Sequence, residues 1–246
     1  MGKRIRVTKS NALIQAAYKL KLNEQRLLLA VIARIDSRIP IRNYTFTITA
    51  AEFADIFNLE LHTAYEALQD ASETLFERDI RTFDGKSQSR FRWVDKVSYM
   101  PGESRVELAF TAHVIPYLTK LHENLTSYGL HQVANLKSTY SIRLFEMLAQ
   151  FRKTGWLQVS VDDFRERLML ADTYKRFDNL RARVIQPAVN ELQQKSNLTI
   201  SWDPIREGRK VVSLLFQFKE DEQMDLLKQS IPEYDENLSQ DAVRDY

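Results

Sequence analysis

Between Lys175 and Gln186 the chain concentrates side chains able to read nucleic acid. On a helix at about 100° per residue, Lys175, Arg176, Asn179, Arg183 and Gln186 share one arc, opposite Leu180, Val184, Ile185, Ala188 and Leu192. Arginine can grip guanine through two acceptors, asparagine or glutamine can pair with adenine, and lysine neutralises phosphate. A solvated face is the competing reading, because every amphipathic helix needs a polar side. A set of cations and amides without a carboxylate favours nucleic acid over that reading. Arg181 and Asp178 fall toward the apolar arc, so Arg181 is expected in an internal ion pair or hydrogen bond. Pro187 is expected to kink the helix or bend its later half away.

Arg206, Arg209 and Lys210 cluster about a turn that could reach a phosphate backbone or a minor groove. An earlier helix from about Leu61 to Phe76 buries Ala64, Leu68, Ala71 and Leu75, and its other side carries Glu66, Gln69, Asp70 and Glu73. Phosphate would be repelled by that face. Contact there is expected at the helix start, His62 and Thr63, and on a wing holding Lys86, Arg90 and Arg92; a solvated hairpin is the alternative.

Signatures of catalysis are missing. The chain has six glycines, none in a Walker pattern, and no cysteine. Its four histidines, His62, His113, His122 and His131, form neither His-x-His nor His-Glu-x-x-His. A metal-assisted tyrosine nickase needs a histidine pair beside its tyrosine, so no catalytic residue, metal or cofactor is expected.

The elements that would position the basic groups occur twice in one order. Asn23 to Arg38 reads as an amphipathic helix stopped by Pro40, Tyr44–Ile48 as a strand, and Thr49 as the cap of a helix with Phe53, Ile56 and Phe57 inward. After the Leu61–Phe76 helix, Ile80–Phe83, Phe91–Tyr99 and Arg105–Phe110 read as strands, with turns at Asp84-Gly85 and Pro101-Gly102. The second set is a helix over Tyr140–Lys153 ended by Gly155, a strand over Trp156–Ser160 and a short helix over Val161–Leu170. A long helix from Tyr174 to Gln194 follows. A hairpin of Leu198–Trp202 and Lys210–Phe218, turning around Pro204 and Gly208, completes the set. The spacing Thr49-x3-Phe53-x3-Phe57-x-Leu59 recurs as Ser160-x3-Phe164-x3-Leu168-x-Leu170. Helix, helix and hairpin is the order of a winged helix, so the expected fold is α+β, two tandem winged-helix domains related by internal duplication. Expected boundaries are residues 1–125, 126–219 and an acidic tail over 220–246.

With 246 residues, 44% hydrophobic and 28% charged, the chain can hold two cores. Its net charge of +2 hides an asymmetry: Glu220–Tyr246 holds nine acidic and two basic residues, leaving +9 on the body. A basic body attracts polyanions. No apolar run approaches the roughly 20 residues of a membrane span, and no secretory leader follows the basic start. Cytoplasmic placement is expected.

Two strings resemble a known family. The segment Val7-Thr8-Lys9-Ser10-Asn11-Ala12-Leu13, with Ala16, Tyr18, Leu20 and then Glu24-Gln25-Arg26-Leu27, resembles the start of replication initiators from iteron-containing, theta-replicating plasmids. So does Tyr140-Ser141-Ile142-Arg143-Leu144-Phe145-Glu146, continuing through Leu148 and Gln150 to Phe151-Arg152-Lys153. The likeness implies that a monomer binds double-stranded DNA at directly repeated iterons of a bacterial plasmid origin, with both domains in contact and the second supplying the main major-groove helix. It also implies origin opening, recruitment of host replication proteins such as helicase and initiator, and repression of its own synthesis by dimers, on an inverted-repeat operator. Dimer contacts are implied in the first domain, where Phe91, Trp93, Val94 and Val97 suggest an apolar sheet edge; core packing competes for those residues. The wing loops and acidic tail depart from the family pattern. A tandem winged-helix transcription regulator would share the fold, and a lone palindrome instead of direct repeats would mark it.

Overall fold

Thr49 and Ser160 each start a helix by the same local device. Thr49 Oγ1 accepts from the Glu52 amide at 3.2 Å while the Glu52 carboxylate accepts from the Thr49 amide at 2.7 Å, and Ser160 Oγ accepts from the Asp163 amide at 3.1 Å. The computed structural model describes residues 5–39, 43–83, 85–119, 124–170 and 173–220. Pro40, Asp84, His122 and the tail beyond Glu220 lie outside them.

The chain runs through β1 (Arg6–Ser10), α1 (Asn11–Gln15) and α2 (Leu22–Ile32), then β2 (Thr45–Thr49), α3 (Ala50–Phe57) and α4 (Leu61–Leu75). Four strands follow, β3 (Asp79–Phe83), β4 (Gln88–Arg92), β5 (Val94–Met100) and β6 (Arg105–Phe110). Short helices α5 (Ile115–Leu118) and α6 (His131–Ala134) flank β7 (Leu125–Gly129). The second set is α7 (Thr139–Ala149), β8 (Trp156–Ser160), α8 (Val161–Arg167), α9 (Phe177–Leu180), α10 (Gln186–Lys195), β9 (Leu198–Glu207) and β10 (Lys210–Glu220).

Two antiparallel three-stranded sheets share one topology, β2-β6-β5 and β8-β10-β9, in which the strand before the helix pair lies beside the last strand. These are two winged-helix units, as the repeated element order predicts. The topology relocates the first wing. It is the β5–β6 turn at Pro101–Glu103, whereas the hairpin of Lys86, Arg90 and Arg92 is a separate two-stranded sheet, β3-β4. A fourth sheet pairs β1 with β7, so the division expected at 125/126 falls within a strand tied back to the N-terminal segment.

Other expectations shift for local reasons. The first helix stops at Ile32, before Arg38, where the backbone tightens into i−3 turns, the Arg34 amide donating to the Val31 carbonyl at 3.1 Å and the Ile35 amide to the Ile32 carbonyl at 3.0 Å. Phe91–Tyr99 divides into β4 and β5 at Trp93, whose side chain enters the core. Trp93 and Val94 are fully buried, so they form core, not the exposed edge suggested for dimerisation. Helix α7 ends at Ala149, short of Gly155, which adopts φ 75° in the turn before β8. Pro204 lies inside β9, at a sheet edge where its missing N–H is tolerated, and Gly208, at φ 58°, makes the turn.

A buried ionic cluster joins the N-terminal segment to α7. Glu146 accepts from Lys9 Nζ and from the Tyr128 hydroxyl, each at 2.6 Å, and from the Tyr18 hydroxyl at 3.3 Å. Arg143 donates to the Tyr18 hydroxyl, lies 3.8 Å over that ring, and donates to the Ile14 and Ala16 carbonyls at 3.0 and 2.9 Å. Burial pushes the Glu146 carboxyl up, but Lys9 and Arg143 outweigh it and hold the group below its ordinary value. Burial raises both tyrosines, which stay protonated donors.

Candidate nucleic-acid interface

The second helix pair builds its exposed face from the turn upward. Tyr174 takes a left-handed φ of 54°, and Arg165 of α8 fastens this turn by donating to the Tyr174 and Lys175 carbonyls at 2.9 and 2.7 Å. Arg176 is the N-cap residue of α9. Lys175 and Arg176 thus precede the helix, which starts at Phe177 and not at Tyr174, and both stand exposed at its positive end.

Between α9 and α10 the backbone makes a π-turn over Arg181–Ile185, with the Gln186 amide donating to the Arg181 carbonyl. Pro187 explains it: in a regular α-helix its ring would collide with the Arg183 carbonyl and the Arg183 carbonyl would lose its donor. The extra residue absorbs that conflict, so the expected break becomes a widened turn inside a continuing helix. Arg181, Ala182 and Arg183 are consequently all exposed, in succession. Arg181 is therefore not in an internal ion pair; its guanidinium lies 5.9 Å from the Trp202 ring centre. Uniform helical periodicity could not place it, and Pro187 was the signal that the period would fail.

Leu180, Val184, Ile185, Ala188 and Leu192 are buried, as the periodicity predicts. Asn179 and Arg183 are exposed together. Gln186 is half-buried and engaged at both ends of its amide, accepting from Trp202 Nε1 at 3.3 Å and donating to Asn190 at 2.8 Å. On the second wing, Arg206 donates to the Arg209 carbonyl at 3.3 Å, and Arg209 and Lys210 are exposed. Among the described residues, Lys175, Arg181, Arg183, Arg206, Arg209 and Lys210 have no carboxylate within ion-pair distance. Arg176 has Asp178 at 3.6 Å, with both side chains about four-fifths exposed, where such a pair contributes little.

The first unit treats its cations differently. Arg90 pairs with Asp79, which also has Arg81 at 3.7 Å. Arg92 meets Glu77 at 3.0 Å, donates to the Phe76 carbonyl at 2.9 Å and covers the Phe76 ring at 4.6 Å. At the relocated wing Arg105 meets Glu103 at 3.0 Å. His62 is exposed at the start of α4, 3.4 Å from Glu66, with Thr63 exposed beside it; Lys86 is exposed in the β3–β4 turn. Lys86, Arg90 and Arg92 thus share the β3–β4 hairpin, outside the winged-helix sheet, while His62 and Thr63 stand at the start of α4.

Among the described residues, no group of three or more His, Cys, Asp or Glu is placed to hold a metal ion, and no helix is long and apolar enough to cross a membrane.

Residues 6–149 match the family model described as initiator replication protein, WH1, and residues 160–218 match initiator Rep protein, WH2. An Escherichia coli replication initiation protein is 30% identical over 231 residues, covering 90% of this chain and 72% of that protein. The Escherichia coli PI protein is 24% identical over 260 residues, covering 90% of this chain and 85% of its own. The crystal structure of Pi initiator protein in complex with iteron DNA superposes with a TM-score of 0.76 at 22% identity, covering 90% of this chain and all of that one. With the two winged-helix units in place and both family models matched in order, the chain belongs to the initiator replication protein family.

Proposed function

We propose that this chain binds directly repeated duplex DNA at a plasmid origin, as its family and the iteron complex of its structural relative suggest, and that it acts by binding and deforming DNA without catalysis. The observation that carries the reading is the exposed row of Asn179, Arg183 and their neighbouring cations at the start of the second unit's recognition helix, where the loose Arg176–Asp178 pair neutralises little of the charge. In this reading Arg183 grips guanine and Asn179 contacts an adjacent base. Lys175, Arg176, Arg206, Arg209 and Lys210 hold phosphates. Residues 126–219 supply sequence preference and residues 1–125, through His62, Thr63 and Lys86, add salt-dependent affinity, with Arg90 and Arg92 held back from phosphate by Asp79 and Glu77.

The bound monomer then helps open the origin and recruits host helicase and initiator, while a homodimer in equilibrium with it represses its own gene in the bacterial cytoplasm. Footprinting on DNA flanking the gene tests the reading. Protection of several direct repeats in one orientation is expected; protection of a lone palindrome would point to a transcription regulator. Sedimentation without DNA should show a dimer at high micromolar concentration, and a monomer throughout would remove the dimer.

A further inference from the structure

Arg181 sits where two features meet, the π-turn of the recognition helix and the root of the second wing. The π-turn carries it outward beside Arg183, and its guanidinium lies over Trp202 of β9. Alternation along β9 puts Ile200, Trp202, Pro204 and Arg206 on one face, so this row leads from the buried core at Ile200 out to the wing cations. Trp202 is fixed on both sides. Its ring packs 6.2 Å from Phe216, and its Nε1 donates to the Gln186 side-chain oxygen Oε1 at 3.3 Å.

We infer that Arg181 is a backbone-phosphate contact bridging the recognition helix and the wing, and that Trp202 is the positioning residue that holds it, an assignment that rests on the DNA-binding reading above. A guanidinium drawn toward an indole face by cation–π attraction keeps its N–H groups available for an acceptor. That attraction also restricts rotamer freedom before DNA arrives, which lowers the ordering cost of contact. Arg181 lies beside the wing strand, flanking the row of Asn179 and Arg183, and among the described residues no carboxylate competes for it. A diester phosphate at the groove edge matches that placement. Gln186, with both ends of its amide engaged, supports Trp202 in this arrangement instead of reading a base.

Titrations of the full chain test the inference, using a duplex of the footprinted repeats and a scrambled duplex of equal length at several salt concentrations. Arg181→Ala should weaken both duplexes alike, roughly fivefold, and lower the salt slope by about one unit. Trp202→Leu should produce a similar loss, Trp202→Phe should restore most of the affinity by keeping a ring, and in the Trp202→Leu background Arg181→Ala should cost less than about twofold. Loss confined to the repeat duplex would make Arg181 a base reader and overturn the assignment. So would unchanged binding by Arg181→Ala, or an equal cost of Arg181→Ala in both backgrounds. Arg181→Ala and Trp202→Phe decide the matter even if Trp202→Leu folds poorly. Wild-type chain that fails to prefer the repeat duplex would sink the repeat-binding reading, whereas uniform weakening by Arg181→Ala would still identify a phosphate contact.

Discussion

The two winged helices share their topology and the capped start of their first turn helix, yet they present opposite surfaces to a polyanion. In the first, Arg90, Arg92 and Arg105 each have a carboxylate partner in Asp79, Glu77 or Glu103. In the second, among the described residues, Lys175, Arg181, Arg183, Arg206, Arg209 and Lys210 stand clear of carboxylates, Arg176 has only the loose pair with Asp178, and Lys195 is neutralised by Glu191. Element order therefore makes both units able to dock, and the placement of a few acidic side chains decides which one offers unneutralised charge. Exposed ion pairs add little to stability, so the first unit's pairs matter chiefly for what they leave available to DNA.

The comparison supposes that both units stand on one interior scaffold, and the largest expected effect tests that. Glu146→Gln would leave Lys9 and Arg143 buried without a counter-charge, at a cost of about 3–5 kcal/mol. Urea unfolding at neutral pH should show the loss in a single transition; a change below about 1 kcal/mol would mean the cluster is not structural. The pH dependence has a defined sign. A carboxyl held low by its partners in the folded state stabilises above its unfolded value, about 4.3, and loses that contribution as pH falls through the lower folded value. The gap between wild type and Glu146→Gln should therefore narrow below about pH 4.

The next effect separates base reading from general attraction within the second unit. Arg183→Ala should cost about 1–3 kcal/mol on the footprinted repeat and relax preference at one position, with little change on scrambled DNA. Lys175→Ala should weaken every duplex similarly and lower the salt slope by about one unit. Competition titrations across salt concentrations would tell them apart. Equal weakening of both duplexes by Arg183→Ala would make that side chain a phosphate clamp and remove the base-reading half of the comparison.

Much of the scaffold was legible in the sequence because it is built from local signals. Thr49 and Ser160 announced their helices by cap chemistry, and the buried stripe from Leu180 to Leu192 followed from periodicity. The strings that carry the family resemblance turn out to be interior: Lys9, Tyr18, Arg143 and Glu146 form the buried cluster, and Glu24 is a buried partner of Arg78 at 2.8 Å. Resemblance thus reported the frame more than the DNA face. What was not legible depends on contacts distant in sequence or on a broken period. Nothing in the order of strands tells which of two hairpins joins the winged-helix sheet, so Lys86, Arg90 and Arg92 were expected on the wing. The exposure of Arg181 needs the π-turn that a uniform helical wheel cannot contain.

The smallest expected effect is the one most specific to the comparison. If Asp79 and Glu77 withhold Arg90 and Arg92 from DNA, then removing the carboxylates while keeping their shape should release the cations. Asp79→Asn with Glu77→Gln should strengthen binding to repeat and scrambled duplexes alike, by about two- to fivefold, and steepen the salt dependence. Uniform gain follows because phosphate contacts carry no sequence information. Arg90→Ala in the otherwise native chain should by contrast change affinity little, since that charge is already neutralised. Salt-dependent titrations of these variants would decide. If Arg90→Ala alone weakens both duplexes and the carboxylate changes do nothing, the first unit grips DNA through its paired arginines as they stand, and the electrostatic contrast between the two units is not what divides their roles.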